Sequence, residues 1–266
     1  MAVTNRRGIF SLLDVRERQG AGVWSTKEDV WNTPSPFTRA LPFGYFGGGN
    51  TNGSTVDRID YSSDTATASV KGPLSSARQN LAATGNASFG YFGGGAPGFK
   101  STVDRIDYSN DTATAAAKGP LSAARGYLAA SSSRANAIPT ENIVNYAAGT
   151  LGTPNTGYFA GGGNPNKSTV DRIDYSNDTA TASVRGNLVQ SLKYGQGVSN
   201  STHGYVAGGE DPSNTSRVQR ITYLNDTVLS VFKGNLSQAI SSYDATGTEN
   251  FGYIAGPGVN IDKIDY

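Results

Sequence analysis

Hydrophobic and polar residues arrive in this chain as two alternating phrases. A glycine-capped aromatic run of the form GYFGGG is followed by a charged run of the form STVDRIDY, and the pair returns five times. The aromatic phrase begins at Gly44, Gly90, Gly157, Gly204 and Gly252, and the charged phrase ends at Tyr61, Tyr108, Tyr175, Tyr223 and Tyr266. A period of about 45 residues belongs to propeller blades or repeat arrays rather than to one irregular fold. Each unit predicts four strands. In the second unit these are Leu81–Gly85, Gly90–Gly94, Thr102–Tyr108 and Thr112–Lys118. Asn110 and Asp111 are expected to make the tight turn before the fourth strand, because both side chains bond their own backbone and tolerate left-handed geometry. Ser63 with Asp64, Asn177 with Asp178, and Asn225 with Asp226 repeat that turn.

Residues 1–35 differ in kind. Both tryptophans, Trp24 and Trp31, lie there. Ser11 is placed to cap a short helix Leu12–Gln19, with Asp14 three residues after the cap, Arg16 toward the end that favours cations, and Gly20 as the stop. Thr33–Pro36 reads as an extended hinge, since proline disfavours helix at the residue before it. The chain therefore divides into an N-terminal docking arm, 1–35, and an all-β propeller of about five four-stranded blades, 36–266. The fifth unit reaches Tyr266 at the end of its third strand. An open strand edge is an aggregation template, so the arm segment Val23–Trp31 is expected to close that blade, in its own chain or a neighbour's. Phe10, Leu12, Arg16, Trp24 and Trp31 are the residues expected to serve docking or blade closure. The third unit carries about twenty extra residues, 134–156, either a loop or part of another blade; Asn142–Ala148 is strand-like.

Composition removes whole classes of function. A formal charge of +1 gives no basic stripe for nucleic acid. No apolar run approaches the length of a spanning helix, and Met1–Arg18 lacks the apolar core of a secretion signal, so the expected site of synthesis is a cytoplasm. The absence of cysteine removes disulfides, thiolate catalysis and cysteine zinc sites.

Comparing the units with one another weighs the candidate chemistry. The charged strand keeps its base as Arg58, Arg105, Arg172, Arg220 and Lys263, whereas both acids vanish in the fourth unit. Single-site chemistry would not be copied into every blade, so these charges are expected to form ladders between neighbouring blades. Asp57 and Asp60 lie three apart on a strand and so on opposite faces, which disfavours a shared calcium. His203 is the only histidine, expected as a loop filler before a strand, and it leaves neither a zinc set nor a triad well supported. No metal and no cofactor is expected. The glutamates outside the arm, Glu141, Glu210 and Glu249, sit in no distinctive motif, which weakens the case for a glycosidase carboxylate pair. The glycine runs are not phosphate loops, because no Lys-Ser/Thr follows. They are expected to end inner strands where blades crowd. The strands are copied while the second-to-third loops diverge. Loops on rigid scaffolds carry binding, so Phe99, Lys100, Asn166, Lys167, Glu210 and Asp211 are the expected contact residues.

Arg78 followed by LAAT, a glycine doublet after an aromatic strand, and a tyrosine about a dozen residues later resemble kelch-type repeats, which implies a kelch-like β-propeller over 37–266. The usual kelch fourth-strand tryptophan is absent, replaced by TATASV or TATAAA. The phrases GYFGGG, STVDRIDYSNDTATA and RRGIFSLLDVRERQGAGVW resemble segments of structural proteins from marine tailed bacteriophages, particularly cyanophages. That resemblance implies a non-enzymatic virion component, tail-associated, assembled in the host cytoplasm. Its implied partners are other tail proteins through the arm, further copies of itself, and a host-surface glycan or receptor. A glycan-degrading propeller and an intracellular kelch-type adaptor are the alternative readings.

Overall fold

The computed structural model describes residues 43–49, 51–63, 65–133, 155–163, 165–242, 244–248, 250–256 and 260–266. Residues 40–266 form one compact unit. Its strands fall into five antiparallel sheets that follow the sequence order. The first holds β1 (Phe43–Gly47), β2 (Val56–Asp60) and β3 (Ser69–Lys71). The second holds β4 (Ala82–Gly85), β5 (Phe89–Gly93), β6 (Val103–Asp107) and β7 (Ala116–Lys118). The third holds β8 (Ala129–Ser132), β9 (Thr156–Ala160), β10 (Val170–Asp174) and β11 (Ser183–Val184). The fourth holds β12 (Gln196–Ser199), β13 (His203–Ala207), β14 (Thr215–Thr222) and β15 (Val231–Ile240), and the fifth β16 (Ala245–Gly247), β17 (Phe251–Ala255) and β18 (Ile261–Asp265). The sheets are the blades of a five-bladed β-propeller, with the first strands β4, β8, β12 and β16 packed in succession.

Three blades have the expected four strands, while the first and fifth show three each among the described residues. Register identifies which are missing. Phe43 pairs Asp60 as Phe89 pairs Asp107, so β1 holds the second place and no first strand is described beside it. β18 holds the third place, and nothing described pairs its outer side. In the second blade the fourth strand is shorter than expected, beginning at Ala116 rather than Thr112, because Tyr108–Asn110 coil into a single 3-10 turn and Asp111 turns toward the neighbouring blade. In the third blade β8 is the first strand, so Asn142–Ala148 does not fill that place, and Thr156 opens β9 instead of closing the insertion. Residues 134–154, the arm with its expected helix and closing strand, and Asp64 lie outside the described residues.

One set of contacts repeats at successive blade joints. The tyrosine ending the third strand stacks on the second-strand tyrosine of the preceding blade: Tyr45 with Tyr108 at 4.8 Å, Tyr91 with Tyr175 at 4.9 Å, Tyr158 with Tyr223 at 4.7 Å and Tyr205 with Tyr266 at 4.9 Å. The third-strand arginine crosses to the turn aspartate of the next blade, Arg58 to Asp111, Arg105 to Asp178 and Arg172 to Asp226, each at 2.7 Å. The charged residues do build a ladder between blades. Its acid, however, is the turn aspartate and not the strand aspartates, which bond elsewhere: Asp104 and Asp171 are buried against Arg78 and Arg125, and Asp60, Asp107 and Asp174 accept from the serine two residues on.

The glycines are dictated by these joints. They end the second strands rather than the innermost ones. A Cβ on Gly93 would stand 2.6 Å from the Phe159 ring of the next blade, and Phe159 is fully buried there. At Gly119 a Cβ would collide with the Ala180 carbonyl oxygen, while the Gly119 amide donates to the Asp178 carbonyl at 2.7 Å. Small alanines directly before the fourth strands, Ala115 and Ala182, are buried in the same seams, where their amides donate to the Pro73 and Pro120 carbonyls at 2.8 Å. Their small side chains allow close backbone approach at these joints.

Candidate functional site

Antiparallel meanders bring the second-to-third loops and the blade-to-blade connections to one face. The connection residue that leads into each first strand sits in the left-handed region: Asn80 (φ 54), Tyr127 (φ 60), Tyr194 (φ 59) and Ser242 (φ 62). Their backbones bond in sequence. The Tyr127 amide donates to the Asn80 carbonyl at 2.8 Å, Tyr194 to Tyr127 at 3.0 Å and Ser242 to Tyr194 at 3.3 Å. A non-glycine residue in this region is uncommon, and bulky side chains rarely accept it. The hydrogen-bonded chain between blades holds the two tyrosines in place.

On that frame the expected loop residues come together with side chains from the connections. Phe99 meets Tyr127 edge to face at 6.0 Å, and Tyr127 meets Tyr194 at 4.5 Å, giving three rings in a row across the second, third and fourth blades. Lys193 Nζ lies 5.3 Å from the Tyr194 ring centre and 3.1 Å from Glu210 Oε1. Asn166 donates from Nδ2 to the Glu210 carbonyl at 2.7 Å and to Asp211 Oδ1 at 3.2 Å, and Ser191 donates to Asp211 Oδ2 at 3.0 Å. The Lys193 ammonium is held above the usual lysine range, first by its hydrogen bond to Glu210. Tyr194 is likewise raised, by burial and then by Tyr127.

Of the six expected contact residues, Phe99, Asn166, Glu210 and Asp211 belong to this cluster. Lys100 and Lys167 instead take part in isolated β-bridges with Arg125 and Leu192, which fix the loop bases. Tyr127, Tyr194 and Lys193 were not among the expected residues, although the signal was present: Asn80, Tyr127, Tyr194 and Ser242 occupy one repeat position and differ as much as the loops do. The arrangement offers flat apolar ring faces beside an amide, an ammonium and carboxylates, the lining expected of a site for a polar ligand with apolar faces.

Elsewhere the candidates resolve structurally. His203 is not a loop residue. It opens β13, pairs Thr222 across the sheet and shares a 2.8 Å hydrogen bond between Nδ1 and Thr202 Oγ1. A cavity of about 280 Å³ lies against Tyr45 and the strands β4, β8 and β12. Its hydroxyls hold blades together: Thr84 Oγ1 donates to the Ser131 carbonyl at 2.9 Å and Ser132 Oγ to the Gly85 carbonyl at 2.8 Å. Among the described residues no three His, Cys, Asp or Glu side chains gather as a metal site, and no helix is long and apolar enough to cross a membrane. Compared with models of known families and with curated proteins, the sequence matches none.

Proposed function

We propose that this chain is a non-enzymatic binding propeller of a tailed-phage particle, tail-associated, that engages a host-surface glycan through the face bearing Phe99, Tyr127 and Tyr194. The observation that carries the reading is the row of three rings flanked by Lys193, Glu210 and Asn166. Sugar rings present C–H faces that pack on aromatic planes, and their hydroxyls exchange hydrogen bonds with amides and carboxylates. The supporting contrast lies within the chain itself, because the joints between blades are copied and this face is not.

The particle half of the proposal rests on the likeness of the repeat phrases and the N-terminal segment to tailed-phage structural proteins. In this reading residues 1–35 dock the propeller to other tail proteins, and several copies on one particle raise a weak single contact by about 10² to 10⁴ through avidity. The purified chain is to be tested against host-surface polysaccharide by surface plasmon resonance, with the polysaccharide chain length followed by size-exclusion chromatography. Saturable binding without shortening is the expected result. Failure to bind, or progressive shortening, would refute the proposal. Antibody labelling of intact particles in electron microscopy tests the location separately.

A further inference from the structure

The turn that leads into the fourth strand is copied in three blades and replaced in the fourth. Ser62, Ser109 and Ser176 follow the tyrosine that ends the third strand, with Ala66, Ala113 and Ala180 four residues on, and then Thr67, Thr114 and Thr181. The fourth unit puts Leu224, Val228 and Leu229 at those positions. No burial accompanies the change: Leu224 is 76% exposed, Val228 49% and Leu229 57%. The serines, alanines and threonines of the other three blades are exposed there too, so the openness belongs to the position in the blade. Folding of the blade gives no reason for three large apolar side chains.

Two more side chains extend the surface. The segment lies against the connection that leaves the third blade, where the Gly186 amide donates to the Asp226 carbonyl at 2.8 Å and the Ser230 amide to the Asn187 carbonyl at 2.9 Å. The Val189 amide donates to Ser230 Oγ at 2.9 Å. Val189, 46% exposed, stands at the repeat position of Ser75 and Ser122 and is brought within one residue of Leu229. Phe232, 49% exposed, shares a face with Ser230, as residues two apart on an extended chain do, and so lies on the Val189 side.

Area and charge indicate what covers this patch. Five large side chains about half exposed offer about 400 to 500 Å² of apolar surface, and a standard interface buries about 800 Å² per partner with somewhat more than half of it apolar. The patch therefore matches the apolar share of one side of a stable dimer, and contiguous apolar area of this size marks an interaction site. From Tyr223 to Phe232 the single charge is Asp226, which is buried and held by Arg172 at 2.7 Å and Arg185 at 3.5 Å. A charged partner finds little to pair with here. A second copy meets the patch without like-charge repulsion and brings an equal apolar area.

We propose that Leu224, Val228 and Leu229, flanked by Val189 and Phe232, form the contact of a two-fold dimer in which the patch of one copy packs on the same patch of the other. Such a contact is self-complementary and needs no second surface. The turn stands at the opposite ends of the strands from the loops that carry Phe99 and Asn166, so the proposal is independent of the ligand face and leaves it open in both copies.

Sedimentation velocity of the full chain, from micromolar to near-millimolar concentration, tests the contact. The unaltered chain is expected to pass from monomer to dimer as concentration rises. Leu224→Ser, Val228→Ala and Leu229→Thr together give the fourth blade the residues that the first three already carry, and the dissociation constant should rise about tenfold or more. Circular dichroism melting checks that this triple variant folds as before. Val189→Ser, outside the turn, is the second variant and should weaken the dimer in the same direction. A chain that stays monomeric throughout would overturn the proposal and leave the patch to a different protein. Folded variants that associate as tightly as the unaltered chain would overturn it as well.

Discussion

Arg78 donates from Nη2 to Oδ2 of Asp104 at 2.7 Å with both side chains fully buried, and the same guanidinium reaches the carbonyls of Phe92, Gly94 and Thr102 at 3.0 to 3.3 Å. Arg125 and Asp171 repeat the pair at 2.6 Å in the next joint. At the third joint both charges disappear together: Leu192 stands where the arginine was, and Gln219 exchanges neutral hydrogen bonds with the backbone of Gln190 at 2.8 and 3.2 Å. The chain thus holds a charged and a neutral solution to one joint.

That duplication predicts the outcome of mutating it. Arg78→Leu alone leaves Asp104 charged and buried, and Asp104→Gln alone leaves the guanidinium so, each costing about 3 to 5 kcal/mol. The double variant imitates the Gln219 joint and should recover about 1 to 3 kcal/mol relative to the sum of the singles. Urea unfolding of the four proteins measures the coupling. Additive losses would show that the two charges do not depend on each other.

The stacked tyrosines predict instability in alkali. Tyr45 is pushed up to about 12, chiefly by burial and then by its hydrogen bond to Asp111, and Tyr91, Tyr108, Tyr158 and Tyr223 are raised as well, mainly by burial. A raised folded-state value means that the folded chain holds the phenolic proton more tightly than the unfolded chain, whose tyrosines titrate near 10. The stabilisation is therefore whole below pH of about 10 and is lost as pH climbs through about 12. Phenolate absorbance and far-ultraviolet circular dichroism should change together over that window. Ionisation of all tyrosines near pH 10 with the sheets intact would contradict the packing described.

The propeller was legible in the sequence because its determinants are local. Gly90, Gly94 and Tyr108 recur at fixed offsets, and each marks a strand end. The role of Asp111 was not legible, since a turn residue and a joint residue look alike until register places Asp111 against Arg58, 53 positions earlier. The same holds for Arg78, whose 26-residue separation from Asp104 hides a buried pair. The contact face was half legible. Phe99, Asn166, Glu210 and Asp211 lie in loops that visibly diverge, whereas Tyr127 and Tyr194 follow a copied stretch and read as core. Left-handed backbone leaves both rings half-buried beside the loops, and the one sign of it in the sequence is that Asn80, Tyr127, Tyr194 and Ser242 differ at a single repeat position.

The aromatic row predicts a separation of binding from folding. Asn80 occupies in the second unit the position that Tyr194 occupies in the fourth, with the same left-handed backbone. Tyr194→Asn therefore keeps the backbone bond to Tyr127 and suits the conformation better than tyrosine does, since asparagine enters it more readily. Affinity for the host-surface polysaccharide should fall about tenfold, the loss of about 1.4 kcal/mol, while the melting temperature moves by no more than about 2 °C either way. A variant that melts normally and binds normally would remove Tyr194 from the ligand face.

The tightest test of the blade joints is a single methyl group. Gly119 follows β7 and lies against the turn of the third blade, where its amide donates to the Asp178 carbonyl at 2.7 Å and a Cβ would collide with the Ala180 carbonyl oxygen. Backbone, unlike a long side chain, cannot rotate aside, so Gly119→Ala must push the second and third blades apart. Asp178 sits in that same turn and holds both Arg105 at 2.7 Å and the Tyr91 hydroxyl at 3.0 Å, so the displacement reaches the ion pair and the Tyr91–Tyr175 stack together. Overpacking of this kind costs about 1 to 3 kcal/mol and sometimes more. Gly98, whose Cβ would meet nothing within 4 Å, is the control, although its φ of 55 carries the ordinary strain of alanine in left-handed backbone. Gly119→Ala should lower the melting temperature further than Gly98→Ala and should lower the protection of the Gly119 amide in hydrogen exchange. Equal effects of the two substitutions would mean that the second and third blades are not in backbone contact at this seam.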